Sequence, residues 1–224
     1  MARTLVFDVN ETLLDLRVLD PIFEQVFGDA AVRRQWFGLL LRNAMTMTMT
    51  GAHEDFIAVG AASLDMLADQ HRVRLTLAQR ASVRQTMANL PPHSDVLDNL
   101  QRLQKAGFRM AALTNSPPDA AEHQLANAGI APLLEKIMTV EAVGKFKPAR
   151  EVYEMAAATL GTTTSQMRMV AAHDWDVAGA MAAGCAGAYL LRPGMVLNPL
   201  LPTPDILEVD FHRLTDRIVA VEMG

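Results

Sequence analysis

One cysteine, Cys185, occurs in the 224-residue chain. Without a second thiol, an intramolecular disulfide and a cysteine-based zinc site are both excluded. Cys185 lies in the small-residue run Gly184-Cys185-Ala186-Gly187, where a packed thiol is the ordinary reading. Lysine is nearly as scarce: Lys105, Lys136, Lys145 and Lys147 stand against sixteen arginines. Basic charge is not in excess either. A net charge of −5 and a pI near 5.7 argue against nucleic acid as a partner, because that function needs a basic footprint. No stretch approaches the ~18 uncharged apolar residues of a membrane span, so no membrane partner is expected. The apolar run that follows Arg3 is too short for a signal-peptide core, which makes the cytoplasm the expected compartment.

What is present is apolar and periodic. Half of the residues are hydrophobic, ample for one large domain or a domain carrying an insert. Short buried-type runs at Thr4–Val9, Arg109–Leu113, Ile137–Val140, Met167–Ala171 and Gly187–Leu191 read as central parallel strands. Helical patterns separate them, at about Asp95–Lys105, Asp119–Ala128, Ala149–Leu160 and Asp176–Ala183. This alternation predicts an α/β fold, a Rossmann-like parallel sheet with helices on both faces. Residues 16–90 differ. They hold helical patterns around Val18–Phe27, Ala31–Met45, Glu54–His71 and Leu77–Asn89 and no convincing strand. The alternating Met45-Thr46-Met47-Thr48-Met49-Thr50 before Gly51 reads as a frayed helix end or loop. The expected organisation is an α/β core from residues 1–15 and 91–224, with an all-helical cap inserted at 16–90.

In an open parallel sheet, ligands gather beyond the carboxyl ends of the strands. Four motifs fall there. Asp8-Val9-Asn10-Glu11-Thr12 places a carboxylate at a strand end before a turn; turn N–H groups can hold it as a nucleophile, or it can serve as a helix N-cap. Thr114-Asn115-Ser116-Pro117 offers donors to a substrate anion, or a cap for the next helix. Gly144-Lys145-Phe146-Lys147-Pro148, then Tyr153, presents a lysine before a proline-opened helix. Such a lysine either neutralises a carboxylate in the cleft or remains a solvated charge. His173-Asp174-Trp175-Asp176, followed by Gly179, is either a functional cluster or an N-cap beside a packing tryptophan. His53, His71, His93, His123 and His212 show no metal-ligand spacing and read as surface or packing residues. In the helical region, Trp36, Leu39, Met45 and Phe56 are candidates for a small apolar pocket, though most such residues simply pack helices.

Taken together, in this order, the motifs resemble the haloacid dehalogenase superfamily over nearly the whole chain, and within it the type II (L-2-haloacid) dehalogenases. The resemblance implies that Asp8 is the nucleophile and Thr12 its partner in an Asp-x-x-x-Thr motif. It maps the halide-binding cap arginine onto Arg42 and the family's Ser-Asn pair onto Thr114-Asn115. Its Lys-Pro and tyrosine fall on Lys147, Pro148 and Tyr153, and its Trp-Asp-x-x-Gly on Trp175, Asp176 and Gly179. Two departures stand out. Ala171, Ala172 and His173 replace the family's Ser-Ser-Asn, and Asn10 replaces a frequent tyrosine.

The superfamily's magnesium-dependent phosphatases are the rival. They use a second aspartate as general acid where this chain has Asn10, which cannot ionise usefully. They also hold Mg²⁺ through a carboxylate where this chain has Ala172, which offers no side-chain oxygen. A departing halide needs no proton, and a monoanionic 2-haloacid needs no divalent metal. The expectation is therefore metal-independent, cofactor-free hydrolysis of small L-2-haloacids to 2-hydroxyacids through an ester on Asp8. A magnesium-dependent phosphatase and a non-catalytic ligand-binding member are the alternatives. In this scheme Arg42 and Asn115 take the halide, and Thr114 with the Val9 and Asn10 amides holds the substrate carboxylate beside Trp175. Lys147 keeps Asp8 ionised, and Thr12 and Tyr153 orient the constellation. His173 is either the base for ester hydrolysis, oriented by Asp176, or a residue that only fills space and hydrogen-bonds. The resemblance is also compatible with a homodimer, for which the Met-rich cap offers adaptable apolar surface.

Overall fold

A computed structural model describes residues 2–224. Six strands form one sheet: β1 (Thr4–Phe7), β2 (Met110–Thr114), β3 (Lys136–Thr139), β4 (Met167–Ala171), β5 (Ala186–Leu190) and β6 (Ile206–Glu208), in the order β3-β2-β1-β4-β5-β6. Every pairing is parallel. β1, β2 and β4 are buried along their whole length, which is why they read as continuous apolar runs rather than alternating ones.

Four helices lie between β1 and β2: α1 (Asp20–Phe27), α2 (Val32–Thr50), α3 (Phe56–His71) and α4 (Leu77–Ala88). α5 (Val96–Lys105) leads into β2 and α6 (Pro118–Asn127) into β3. α7 (Arg150–Thr159) precedes β4, α8 (Asp174–Ala182) links β4 to β5, and α9 (Phe211–Met223) ends the chain. The chain moves outward from β1 to β3, then crosses to β4 on the other side of β1. Right-handed crossovers therefore place α5 and α6 on one face and α7 and α8 on the other. α9 packs against α5 and β6, and α7 against α8. The reversal of strand order falls between β1 and β4, so the crevice that collects ligands opens above Asp8.

The helical segment leaves and rejoins the sheet at one point. Leu14 bridges antiparallel to Pro92, the Asp15 amide donates to the Pro91 carbonyl at 2.8 Å, and the His93 amide donates to the Leu13 carbonyl at 2.9 Å. Local chemistry sets the helix ends. Asp55 caps α3 through the Ala58 amide, and Thr76 with Gln79 forms a capping box on α4. α2 and α3 approach closely at Gly60, whose added Cβ would lie 3.1 Å from Leu40 Cδ1. The Gly60 carbonyl accepts from Trp36 Nε1 at 3.0 Å.

Three expectations change. The Met-Thr alternation is helical through Thr50, because Thr46 and Thr50 turn their hydroxyls back onto the carbonyls of Arg42 and Thr46. The helix after Lys147 begins at Arg150, one residue from the expected Ala149, and Pro148 lies in the turn before it rather than opening it. The last stretch of the expected core, beyond Leu191, to which the sequence assigns no element, holds β6 and α9. No helix among the described residues is long and apolar enough to cross a membrane.

Candidate active site

The site grows from the carboxyl ends of β1, β2 and β4. Asp8 follows β1 directly, 5% exposed, its amide donating to the Val170 carbonyl of β4 at 3.0 Å. The turn after it folds back: the Leu13 and Leu14 amides both donate to the Val9 carbonyl at 2.9 Å. Thr12 is thereby brought to Asp8, and its hydroxyl donates to Asp8 Oδ2 at 2.6 Å while accepting from the Ala172 amide at 2.9 Å. Arg192 steadies the same turn through the Thr12 carbonyl, at 3.0 Å from Nη2. Neither the Val9 nor the Asn10 amide meets a protein acceptor among the described residues.

Lys147 is the centre of the constellation. Its ammonium, 1% exposed, donates to Asp8 Oδ1 at 2.8 Å, to Asp176 Oδ2 at 2.6 Å and to the Leu113 carbonyl at 3.0 Å. All three ammonium donors are thus placed. Its backbone is held too, since the Lys147 amide donates to Asn115 Oδ1 at 3.0 Å. The Tyr153 hydroxyl donates to Asp176 Oδ1 at 2.7 Å. Gly179 explains the spacing of the Trp-Asp-x-x-Gly motif: a Cβ there would collide with Pro148 and lie 2.9 Å from the Tyr153 hydroxyl. The missing side chain lets α8 carry Asp176 against Lys147.

Burial pushes the Asp8 carboxyl up, but the Lys147 charge, with His173 and the Thr12 hydroxyl, holds it below its ordinary value of 3.8. For Lys147, burial acts downward and the two carboxylates more than offset it, Asp176 foremost. Asp176 is raised, because it is fully enclosed and shares one ammonium with Asp8. Burial, reinforced by Asp176, holds the Tyr153 phenol well above 10.0, so it acts as a donor and not as a base. Cys185 is pushed up to about 12 by burial and sits in the core as an inert thiol.

His173 is buried, with Trp175 stacked on it at 5.1 Å between ring centroids and Phe37 of α2 at 6.0 Å. Its Nε2 lies 3.3 Å from the Asn10 carbonyl, 3.8 Å from Asp8 Oδ2 and 3.7 Å from Glu11 Oε2. The expected His173–Asp176 pair is not formed: both Asp176 oxygens are taken by Lys147 and Tyr153. Thr114 accepts from the Ser116 amide at 3.1 Å. Asn10 Nδ2 reaches Ser116 Oγ at 3.4 Å, and its Oδ1 is buried without a partner among the described residues.

Arg42 is the clearest correction. It is exposed on α2, and its side chain makes no hydrogen bond or ion pair among the described residues. The face of α2 turned toward the site instead carries Arg33, Phe37 and Leu41. With Glu11, His173 and Trp175 these line a cleft of about 290 Å³. Arg33, buried, meets Glu11 at 3.1 Å and Asp20 at 2.5 Å. A second, apolar cavity of about 400 Å³ lies between α2, α3 and α4 on one side and Ser116 on the other. Trp36 and Phe56 line it as anticipated; Leu39 and Met45 do not. Glu11 stands inside the Asp8–Thr12 motif without a role of its own there, and no motif flags Arg33 or Arg192.

The residues do not fit the magnesium ion of the fold's phosphatases. The Lys147 ammonium already lies between Asp8 and Asp176, Ala172 has no side-chain oxygen, and the Asn10 carbonyl faces His173.

Comparison with known proteins agrees with this fold. A solved L-2-haloacid dehalogenase from Xanthobacter autotrophicus, with chloropropionic acid covalently bound, superimposes with a TM-score of 0.90 at 22% identity, covering 100% of both chains. An (S)-2-haloacid dehalogenase of Pseudomonas sp. (strain YL) is 24% identical over 91% of this chain and 88% of its own length. Haloacetate dehalogenase H-2 of Moraxella sp. (strain B) is 25% identical, over 91% and 92%. The model of the haloacid dehalogenase-like hydrolases matches residues 2–184, and the chain belongs to that family of hydrolases.

Proposed function

We propose that this chain hydrolyses small (S)-2-haloacids to 2-hydroxyacids through an ester on Asp8, without a metal. The observation that carries the reading is the Asp8–Lys147 pair, a buried carboxylate held anionic by an enclosed ammonium at the switch point of the sheet. Names of the relatives, (S)-2-haloacid and haloacetate dehalogenases, support the substrate class. Asp8 attacks the halogen-bearing carbon in line, inverting it, and the halide leaves. Asn115, whose Oδ1 is taken by the Lys147 amide, has its carboxamide nitrogen to offer the halide. Thr114 and the Val9 and Asn10 amides are the donors for the substrate carboxylate, with Trp175 walling the cleft. Water then attacks Asp8 Cγ with His173, 3.8 Å from that carboxylate, as its base. Thr12 and Tyr153 fix Asp8 and Asp176, and residues 16–90 act as the cap that keeps bulk water out.

The test is halide release from a panel of 2-haloacids in EDTA, with product chirality read out. Multiple turnovers in oxygen-18 water should place the heavy isotope on Asp8. Label in the product with none on Asp8 would overturn the covalent route. Magnesium-dependent cleavage of p-nitrophenyl phosphate with no halide release would replace the reading by a phosphatase.

A further inference from the structure

Two non-glycine residues among those described have left-handed backbone, Arg72 and Glu11. Arg72 follows the end of α3, where such a conformation closes the helix. Glu11 has no helix to close. It stands at φ 63° in the turn between Asp8 and Thr12, a position that favours glycine. Strain of this kind persists only where the surroundings fix it, and it clusters at working sites. Four segments fix Glu11. Its amide donates to the Leu14 carbonyl at 2.9 Å, and its carbonyl faces His93 Nε2 at 3.1 Å. Its Oε1 accepts from Arg33 of α2 at 3.1 Å. Its Oε2 is 3.7 Å from His173 Nε2.

We propose that Glu11 is a positioning residue for the hydrolytic half of the reaction, its carboxylate anchored by Arg33 and directing His173 at Asp8. The inference rests on the assignment of His173 as base. In the ester, Asp8 has lost its charge, and Glu11 then carries the carboxylate charge that faces His173 Nε2. As water bonds to Asp8 Cγ, His173 takes one of its protons. The tetrahedral adduct collapses, the bond from Cγ to the substrate oxygen breaks, and His173 returns the proton to that alkoxide. The remaining proton leaves the Asp8 carboxyl for solvent. Glu11 stabilises the imidazolium during this interval, while Phe37 and Trp175 hold the ring plane. The cap thus contributes its buried arginine to the nucleophile turn, whereas Arg42 stays outside.

Single turnovers with (S)-2-chloropropionate test this in Glu11→Gln, Glu11→Gly and His173→Asn, following the halide burst and the ester by intact-protein mass. Both Glu11 variants leave Arg33 with Asp20 alone as a carboxylate partner, but only Glu11→Gly relieves the left-handed strain, so its Tm should equal or exceed that of Glu11→Gln. Both Glu11 variants should lose about tenfold or more in ester hydrolysis, within the ~10²–10⁴-fold range of acid–base catalysis. Their halide burst should fall far less, and ester should accumulate. A Glu11→Gln/His173→Asn double variant should be no slower than His173→Asn alone. Ester hydrolysis at the parent rate in both Glu11 variants, or fully multiplicative losses in the double variant, would overturn the role of Glu11. If His173→Asn hydrolyses ester at the parent rate, the base assignment fails and this inference with it. No halide release by the parent protein would overturn the dehalogenase reading itself.

Discussion

Lys147 decides what Asp8 can do. One enclosed ammonium serves two enclosed carboxylates, so Lys147→Met leaves both uncompensated. Breaking a buried pair in this way costs roughly 3–5 kcal/mol, and the expected outcome is a marked fall in Tm at neutral pH with halide release abolished. The pH dependence follows from the directions of the shifts. Asp8 is lowered below 3.8, so its contribution to stability is present above that value and is lost as pH falls through its folded pKa. Lys147 is raised above 10.5; its contribution is present below 10.5 and is lost as pH rises through its folded pKa. Asp176, raised above 3.8, acts in the opposite sense to Asp8 between its ordinary and folded values. The single-turnover halide burst should therefore stay flat from neutrality down to about pH 4 (the ordinary carboxylate range), with its acid limb below. In Lys147→Met the sign reverses: burial alone raises Asp8, and the variant should gain stability on acidification. Arg42→Ala is the matching control. Its exposed side chain lines neither cavity, and kcat/KM should stay within about twofold, as surface substitutions usually change little.

These residues differ in how far the sequence alone reveals them. Asp8, Thr12, Lys147, Tyr153 and Asp176 follow strand ends or lie one turn into helices, so motif spacing fixes their meeting place. Arg42 lies in the middle of a long helix, where each residue turns the side chain by about 100°. Without knowing which face of α2 meets the sheet, the resemblance settles on an arginine that the structure leaves on the exposed face. Glu11 was hidden for another reason. Its direction depends on a positive φ, which no local pattern announces in a glutamate.

At the scale of elements, the Met-Thr stretch gains a purpose. Its extra turn of helix carries Thr48 to the loop before Lys147, where the Phe146 amide donates to Thr48 Oγ1 at 2.9 Å. Phe146 is buried against Phe56 and beside His53. The far end of α2 is thereby tied to the segment that supplies the ammonium. Thr48→Val keeps the shape of the side chain and removes the acceptor. A net hydrogen bond is worth about 1 kcal/mol, so kcat/KM should fall about fivefold, and the Phe146 amide should exchange with solvent correspondingly faster. Hydrogen exchange followed by mass spectrometry reads this directly; unchanged protection would show that the contact does not restrain the loop. The alternation misled because period-two apolarity is the mark of a strand, whereas here threonine hydroxyls are satisfied within the helix. β6 was invisible for a different reason, being three residues long and following a proline-rich stretch. α9 was legible after all. Asp210 caps it through the Arg213 amide, and Phe211, Leu214, Thr215 and Ile218 are its buried face, at helical spacing.

At the scale of the whole molecule, the end of the sheet opposite the active site is closed by an ionic cluster. Arg168 of β4, with no exposure, donates to Glu222 at 2.7 Å, to both oxygens of Asp205 at 2.7 and 2.8 Å, and to the Gly187 carbonyl at 2.8 Å. Glu222, on α9, also accepts from the Arg3 amide and guanidinium at 3.0 and 3.1 Å. The cluster therefore joins the residue before the first strand and a central strand to the last helix, across 219 and 54 residues of chain. Burial pushes the Glu222 carboxyl up, yet the Arg3 amide, Arg168 and the Arg3 side chain hold it below 4.5. Its stabilising effect is present above that value and is lost as pH falls through its folded pKa. Glu222→Gln keeps the shape and removes the charge. Arg168 retains Asp205, so the loss should be that of a charged hydrogen bond, about 1.5–3 kcal/mol. In a chain of this size each kcal/mol moves Tm by about 2–4 °C, which sets the expected drop at roughly 3–12 °C at neutral pH. The gap between variant and parent should narrow in acid as the parent's Glu222 protonates, while dehalogenation at 25 °C stays near the parent value because Asp8 lies at the other end of β1. A drop that persists unchanged at low pH would mean that α9 is held by its apolar face alone, with the charges contributing nothing.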